Sequence, residues 1–263
     1  MTDESTEPSI AELFSLRGRV ALITGGSAGL GLSIARGLAE AGATTVLASR
    51  NADQCDAAAA DLAEATGTES RGQRVDVTDE DEVAAAFKSV TDRHGRLDIV
   101  VNSAGLNLRY PIEDCPLSEF QRVLDINLTG TWLCCREAGR AMRPQGRGTV
   151  INLASALSAI GIPARTPYCS SKAGIIGLTQ TVALEWADTG LRCNALCPGP
   201  FRTGMNEPLT ADPARAQALL ARTALNRWAE MHEIKGPALF LASDASSYMT
   251  GAALYVDGGW TAQ

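Results

Sequence analysis

The chain alternates short apolar runs with stretches in which apolar residues recur every three or four positions. Val20–Thr24 reads as a strand closed by Gly25 and Gly26, and after it Leu30, Ile34 and Leu38 fall on one helical face up to Gly42. Thr45–Ser49 is a second strand, and Asn51 can cap the Ala-rich helix that runs to Gly67. A third strand is expected around Arg74–Val77. Asp79 and Glu82 then make a cap-like start for a helix carrying Val83, Phe87 and Val90. Leu97–Val101 is apolar except for Asp98, as a strand is when helices cover both faces of its sheet. The pattern further predicts a long helix from Ser118 to about Met142, a strand at Thr149–Leu153, and a helix from Tyr168 to about Ala187. A strand at Leu191–Cys197 follows. Pro208–Thr223 reads as a polar helical insertion, Glu233–Ala242 as the last helix, and Ala253–Val256 as the last strand before Asp257.

Strands alternating with helices imply right-handed βαβ crossovers and a parallel sheet. The expected architecture is α/β: a single doubly wound Rossmann domain of about seven parallel strands flanked by helices on both faces. No Pro-, Gly- or Ser-rich linker divides it and no repeat recurs, so residues 13–263 form the domain behind a flexible tail at 1–12.

Composition narrows the function. Hydrophobic residues make up 45% and charged residues 20% of 263, enough to bury a core. A net charge of −7 argues against a nucleic-acid partner. No apolar run reaches membrane-spanning length, and the acidic N-terminus lacks a secretory pattern, so no membrane association and a cytoplasmic location are expected. Seven cysteines without a C-x-x-C pair read as free thiols, with no metal site. Of the 23 basic residues only Lys88, Lys172 and Lys235 are lysines, so a lysine inside a chemical motif carries information.

Thr24, Gly25, Gly26, Ser27, Ala28, Gly29, Leu30 and Gly31 form a glycine-rich turn between the first strand and the first helix, where a dinucleotide pyrophosphate can meet a helix N-terminus. The second strand ends in Ser49, Arg50 and Asn51 rather than in the acid that would bond a free ribose 2′-hydroxyl. Arg50 can instead grip a 2′-phosphate, which favours NADP(H) and leaves NAD(H) as the alternative. Tyr168 and Lys172 lie four apart on one helical face, pairing a phenol with a cation able to ease its ionisation. Ser155 follows the strand ending at Leu153, at the ligand edge of such a sheet.

These motifs resemble those of the short-chain dehydrogenase/reductase family over roughly Leu16 to Gly259. The resemblance implies that Asn127, Ser155, Tyr168 and Lys172 are catalytic, with Asn127 holding a water in a proton relay and Lys172 bonding the nicotinamide ribose. It implies that Asp76 and Val77 border the adenine, that Asn102, Ala104 and Gly105 form a cofactor-binding strand end, and that Pro198, Gly199, Phe201 and Thr203 flank the nicotinamide amide. Ser103 departs from the family's second Asn, and Ala28 stands where many NADP-preferring relatives carry a basic residue. A homotetramer built through the long helices is implied as well, with Trp260 suited to burial against a neighbour.

The expected activity is hydride transfer between nicotinamide and a secondary alcohol or ketone of a small molecule. The stretch Asn226–Trp228 and the region 238–257 are similar to the gluconate 5-dehydrogenase and sugar-dehydrogenase branch, with 3-oxoacyl-carrier-protein reductase as the alternative. An acidic carrier would need a basic face, for which Arg136, Arg140, Arg143 and Arg147 are candidates. Arg109, Arg165 and Arg202 are candidates to surround an anionic substrate, and residues 204–226 form a variable lid with Met205, Leu209, Leu219 and Leu220 as apolar contacts. A non-catalytic dinucleotide sensor on the same fold is the reading from another class.

Overall fold

The computed structural model describes residues 7–207 and 211–262. Its elements are α1 (Ile10–Phe14), β1 (Val20–Thr24), α2 (Gly29–Glu40), β2 (Thr44–Ser49), α3 (Ala52–Thr66), β3 (Ser70–Arg74), α4 (Glu80–His94) and β4 (Ile99–Asn102). There follow α5 (Leu117–Leu124), α6 (Gly130–Met142), β5 (Gly148–Leu153), α7 (Thr166–Glu185), β6 (Leu191–Pro198), α8 (Pro213–Leu220), α9 (Lys235–Ala242) and β7 (Ala253–Val256). Among these residues seven strands form one wholly parallel sheet in the order β3-β2-β1-β4-β5-β6-β7. The order reverses between β1 and β4, and the crevice outside that point is where ligands of doubly wound sheets bind.

Alternation along each strand divides the core into two layers. Leu22, Val46, Val100 and Val150 face Phe87, Leu133, Met142 and Trp186. Ala21, Ile23, Val101 and Ile151 face Ile34, Leu38, Ile234 and Leu241 on the other side. The central strands are mostly apolar because both faces are covered, with Thr24, Asn102 and Asn152 buried toward their C-terminal ends. Asp98, just before β4, is buried, and its carboxylate accepts from the Val20 N–H at 2.9 Å and from Arg96 Nε at 2.8 Å.

Three elements differ from the expectation. The third strand is the polar Ser70–Arg74, not the valine-rich stretch after it. It is an edge strand in register with β2 from Thr45↔Ser70 to Ser49↔Arg74, and Gly72 lets α3 cross it, since a Cβ there would lie 2.5 Å from the Asp56 nitrogen. The long helix expected from Ser118 is broken into α5 and α6 by a wider turn at Asp125–Thr129, where the Gly130 N–H bonds the carbonyl of Asp125, five residues back. Within the expected insertion helix, Pro213–Leu220 form α8 and the chain turns at 221–223, while residues 208–210, including Leu209, lie outside the described residues. Of the tail expected over 1–12, residues 1–6 lie outside them too. Ile10 already belongs to α1, which Ser9 caps by accepting from the Glu12 N–H while donating its own N–H to the Glu12 carboxylate.

Candidate active site

The turn after β1 is built by close approach. Gly25 has φ +64°, and a Cβ on it would lie 2.8 Å from the Ala104 nitrogen, while one on Gly31 would lie 2.2 Å from the Gly25 carbonyl oxygen. Ala28, the residue before α2, supplies no side-chain cap, which leaves the first N–H groups of that helix free toward the crevice. Space lies open beside Gly29, where a Cβ would meet nothing within 4 Å. A glycine floor and an uncapped helix start suit a pyrophosphate, so the residues present fit a dinucleotide.

A cavity of about 360 Å³ runs from this turn past the ends of β4, β5 and β6. Of the residues expected at the site, Gly25, Ala28, Gly29, Leu30, Gly31, Ala104, Gly105, Ser155, Tyr168, Lys172, Pro198, Gly199, Phe201 and Thr203 line it. A smaller cavity of about 180 Å³ shares Gly25, Ala104 and Gly105 with it and is lined by Ser49, Arg50, Asp76 and Val77, the residues expected around the adenosine half. There the upward push of burial on the Asp76 carboxyl is outweighed by hydrogen bonds from Thr78 and by the charges of Arg50 and Arg74.

Ser27, Asn51, Asn102 and Asn127 stand off the cavity walls. The Ser27 hydroxyl donates to Gln54 Oε1 at 3.3 Å, and Asn51 Oδ1 caps α3 by accepting from the Gln54 N–H at 3.1 Å. Asn102 is buried between strands and donates to Asn152 Oδ1 at 2.8 Å. Asn127 sits in the wider turn between α5 and α6 and is fully buried. Its Oδ1 accepts from the Leu106 N–H at 2.7 Å, and its Nδ2 donates to the Leu106 carbonyl and the Ser171 hydroxyl, each at 2.9 Å. Its backbone carbonyl takes the Thr131 hydroxyl at 2.6 Å. The amide thus ties the loop after β4 to the helix that carries Tyr168.

Tyr168 and Lys172 stand on α7, with Lys172 Nζ 5.7 Å from the centre of the phenol ring. Lys172 is buried, donates to the Leu153 carbonyl and meets no carboxylate among the described residues. Burial pulls its ammonium from an ordinary 10.5 down to about 8. Burial pushes the Tyr168 phenol up, opposed by a hydrogen bond with Ser155 and by the charge of Arg165. Ser155 is held by the turn after β5: its Oγ accepts from the Leu157 N–H at 3.1 Å, and its own N–H donates to Ser158 Oγ, which in turn donates to the Lys172 carbonyl at 2.9 Å.

The candidate arginines separate. Arg165 lines the cavity; Arg109 packs near it and donates to the Met205 carbonyl at 3.2 Å; Arg202 is exposed, with Nε 3.6 Å from Glu230. The basic face considered for an acidic carrier is partly neutralised, because Arg136 pairs with Glu80 and Glu137 and Arg140 shares Glu137, while Arg143 donates to the Glu185 backbone carbonyl. Trp260 packs against Ala156, Leu157 and Tyr168 of its own chain and lines the cavity, so its burial needs no neighbouring molecule. Trp260, Asn107, Leu157 and Ile162 are cavity residues that sequence reasoning missed. No local motif marks them, since they arrive from loops and from the chain's far end.

A family profile described as enoyl-(acyl carrier protein) reductase matches residues 25–261. Gluconate 5-dehydrogenase of Gluconobacter oxydans (strain 621H) is 38% identical over 250 residues, which cover 95% of this chain and 97% of that protein. A crystal structure of a gluconate 5-dehydrogenase from Burkholderia cenocepacia J2315 in complex with NADP and tartrate is 36% identical and superposes with a TM-score of 0.94, covering 97% of this chain and 100% of that one. A short-chain type dehydrogenase/reductase from Mycobacterium marinum is 40% identical, with a TM-score of 0.92 over 97% of this chain and 100% of that one.

Proposed function

This chain belongs to the short-chain dehydrogenase/reductase family of NAD(P)-dependent oxidoreductases acting on CH–OH groups, and we propose that Tyr168 exchanges the proton as a secondary alcohol and a ketone interconvert on a sugar or sugar-acid substrate. One observation carries the reading: Tyr168, Ser155 and Lys172 share a cavity with the glycine turn. When bound, the nicotinamide gives or takes up the hydride.

In the oxidising direction Tyr168 removes the alcohol proton, and in the reducing direction it returns one to the carbonyl oxygen. Ser155 orients that oxygen through its hydroxyl. A phenol with an ordinary pKa of about 10 needs roughly 4 kcal/mol of preference for the phenolate to act near neutral pH. Burial works against this, so positive charge has to make up the difference, from Lys172 and from oxidised nicotinamide. Asn127 is a positioning residue that holds the loop after β4 against α7.

Gly25, Gly29, Gly31 and the start of α2 would hold the pyrophosphate, Asp76 and Val77 the adenine side, and Lys172 the ribose next to nicotinamide. We infer NADP(H) as the cofactor, because Arg50 lines the smaller cavity and a related enzyme binds NADP. NAD(H) is the second reading, favoured by Ala28, which offers a 2′-phosphate no second cation. A homotetramer fits the exposed Leu117, Trp132 and Leu184 on α5, α6 and α7, and the free thiols suit a reducing cytoplasm. Light scattering coupled to gel filtration tests the assembly.

The activity is tested by nicotinamide absorbance across sugars, sugar acids and 3-oxoacyl thioesters. Turnover with a sugar or sugar acid, lost in Tyr168→Phe while cofactor still binds, is the expected result. Cofactor binding without turnover on any substrate would favour the sensor, and undiminished turnover in Tyr168→Phe would refute the role of the phenol.

A further inference from the structure

Arg165 is placed at a cost. It precedes α7 by one residue and follows Ala164, whose φ of +58° puts a non-glycine residue in the left-handed region. A bridge between Arg165 and Tyr110 ties this backbone to the loop after β4 that also carries Asn107 and Arg109. Arg165 is only 7% exposed and lines the same cavity as Tyr168 and Ser155.

Its donors are largely unspent. A guanidinium has five N–H groups, and the hydrogen bond Arg165 makes among the described residues runs to the adjacent Ala164 carbonyl at 3.0 Å. Arg109 is the nearby cation: its charge disfavours that of Arg165, and its Nε is buried without a partner among the described residues. Asn107 Oδ1, on the wall of the same cavity, is also buried and unpartnered. Among the described residues neither guanidinium reaches a carboxylate. Elsewhere in the chain Arg96, Arg136 and Arg227 meet Asp98, Glu80 and Glu233 at 2.6–2.8 Å.

Two poorly solvated cations side by side, with no paired carboxylate among the described residues, are unfavourable unless something negative completes them. Burial and the Arg109 charge draw Arg165 down only to about 10, so it stays a cation at neutral pH. A planar fork with free donors suits a carboxylate bound bidentately. Arg165 lies three residues before Tyr168, so an anion held there sits a short chain length from the atom that exchanges the proton.

We propose that Arg165, with Arg109 beside it, binds the carboxylate of the substrate, so that the site selects hydroxy and keto acids over neutral polyols. The oxygen of Asn107 is left to accept from a substrate hydroxyl. This rests on the oxidoreductase reading above and deepens it from a sugar or sugar acid to the acid.

The test compares D-gluconate with two neutral analogues of the same chain length, D-glucitol and D-gluconamide, on the NADP-loaded wild type and on Arg165→Gln and Arg165→Lys. Calorimetric binding and KM are read side by side. The wild type should bind gluconate at least tenfold more tightly than either analogue. Arg165→Gln should weaken gluconate by about 30- to 100-fold, move the neutral analogues less than threefold and leave NADP affinity intact, with Arg165→Lys in between. The wild-type comparison needs no variant, so it stands even if Arg165→Gln folds poorly. Equal binding of gluconate and its neutral analogues by the wild type, or equal losses for all of them in Arg165→Gln, overturns the proposal. Arg165-dependent gluconate binding without turnover upholds the anion site and refutes the proposed reaction on sugar acids. Brisk turnover of neutral polyols with no preference for acids does the reverse.

Discussion

Replacing Lys172 with Met should make the cofactor-free protein more stable near pH 7 while ending its turnover. The buried ammonium gives up its proton at about 8 instead of 10.5, so at pH 7 folding confines a charge that the unfolded chain would solvate. That interval corresponds to about 3 kcal/mol. Met keeps the length and the apolar stem of the side chain but forfeits the hydrogen bond to the Leu153 carbonyl, a loss of about 1 kcal/mol. The net gain is about 2 kcal/mol, or roughly 4–8 °C in Tm for a chain of this size.

The pH dependence separates this cause from better packing. Between about 8 and 10.5 the unfolded chain holds the Lys172 proton more firmly than the folded one, so the wild type gains stability as pH rises through that window. Below it the cost is present in full. Lys172→Met has no such gain, so its advantage should shrink across the window and vanish or reverse near its upper end. Urea unfolding followed by tryptophan fluorescence, at matched protein concentration and without cofactor, measures both curves. A variant less stable than the wild type at pH 7, or one whose advantage is the same at both ends of the window, would refute a buried charge held at a cost for chemistry.

Four further outcomes follow from the same geometry. Arg50→Ala should raise KM for NADPH by about 30- to 100-fold and change KM for NADH less than threefold; a wild type that prefers NADH, unaltered by the substitution, would reverse the cofactor assignment. Gly31→Ala sets a methyl group 2.2 Å from the Gly25 carbonyl oxygen, so it should cost about 1–3 kcal/mol of stability and at least tenfold in cofactor affinity by fluorescence titration. Asp98→Ala strands the Val20 N–H in the core and should lower stability by about 2–3 kcal/mol in a thermal melt, with kcat unchanged in the folded fraction. Asn127→Ala should lower kcat more than it raises cofactor KM, because Asn127 itself lines neither cavity and its loss loosens the Leu106 loop against Ser171 on the helix that carries Tyr168; a change confined to cofactor KM would contradict the positioning role.

The fold was legible where burial is two-sided. Val20–Thr24 and Leu97–Val101 announce themselves because helices cover both faces and nearly every position is apolar. The third strand was misplaced for the converse reason. At the sheet edge Ser70–Arg74 needs only backbone pairing with β2 and a glycine to pass under α3, so neither β-branched residues nor alternation mark it. Val75 and Val77 drew the eye because they are buried, yet they are buried beyond the ladder, and Val77 lines the adenosine-side cavity. The wider turn at Asp125–Thr129 leaves no trace in periodicity either, because one extra residue per turn over five residues hardly shifts a helical pattern.

The site was legible where chemistry demands a rare residue and opaque where shape alone recruits common ones. Lysine is the clearest case. Lys88 and Lys235 both end in partly exposed ion pairs, with Asp92 and Glu40, whereas Lys172 is buried with a backbone carbonyl as its hydrogen-bond partner. Burial pulls the ammonium of Lys172 down to about 8, while a guanidinium in the same cavity, that of Arg165, is drawn only to about 10. The two cations therefore divide the work by their chemistry. Lys172, still protonated at neutral pH, can ease the ionisation of a neighbouring phenol through its charge, and Arg165, whose planar fork stays cationic, can hold an anion.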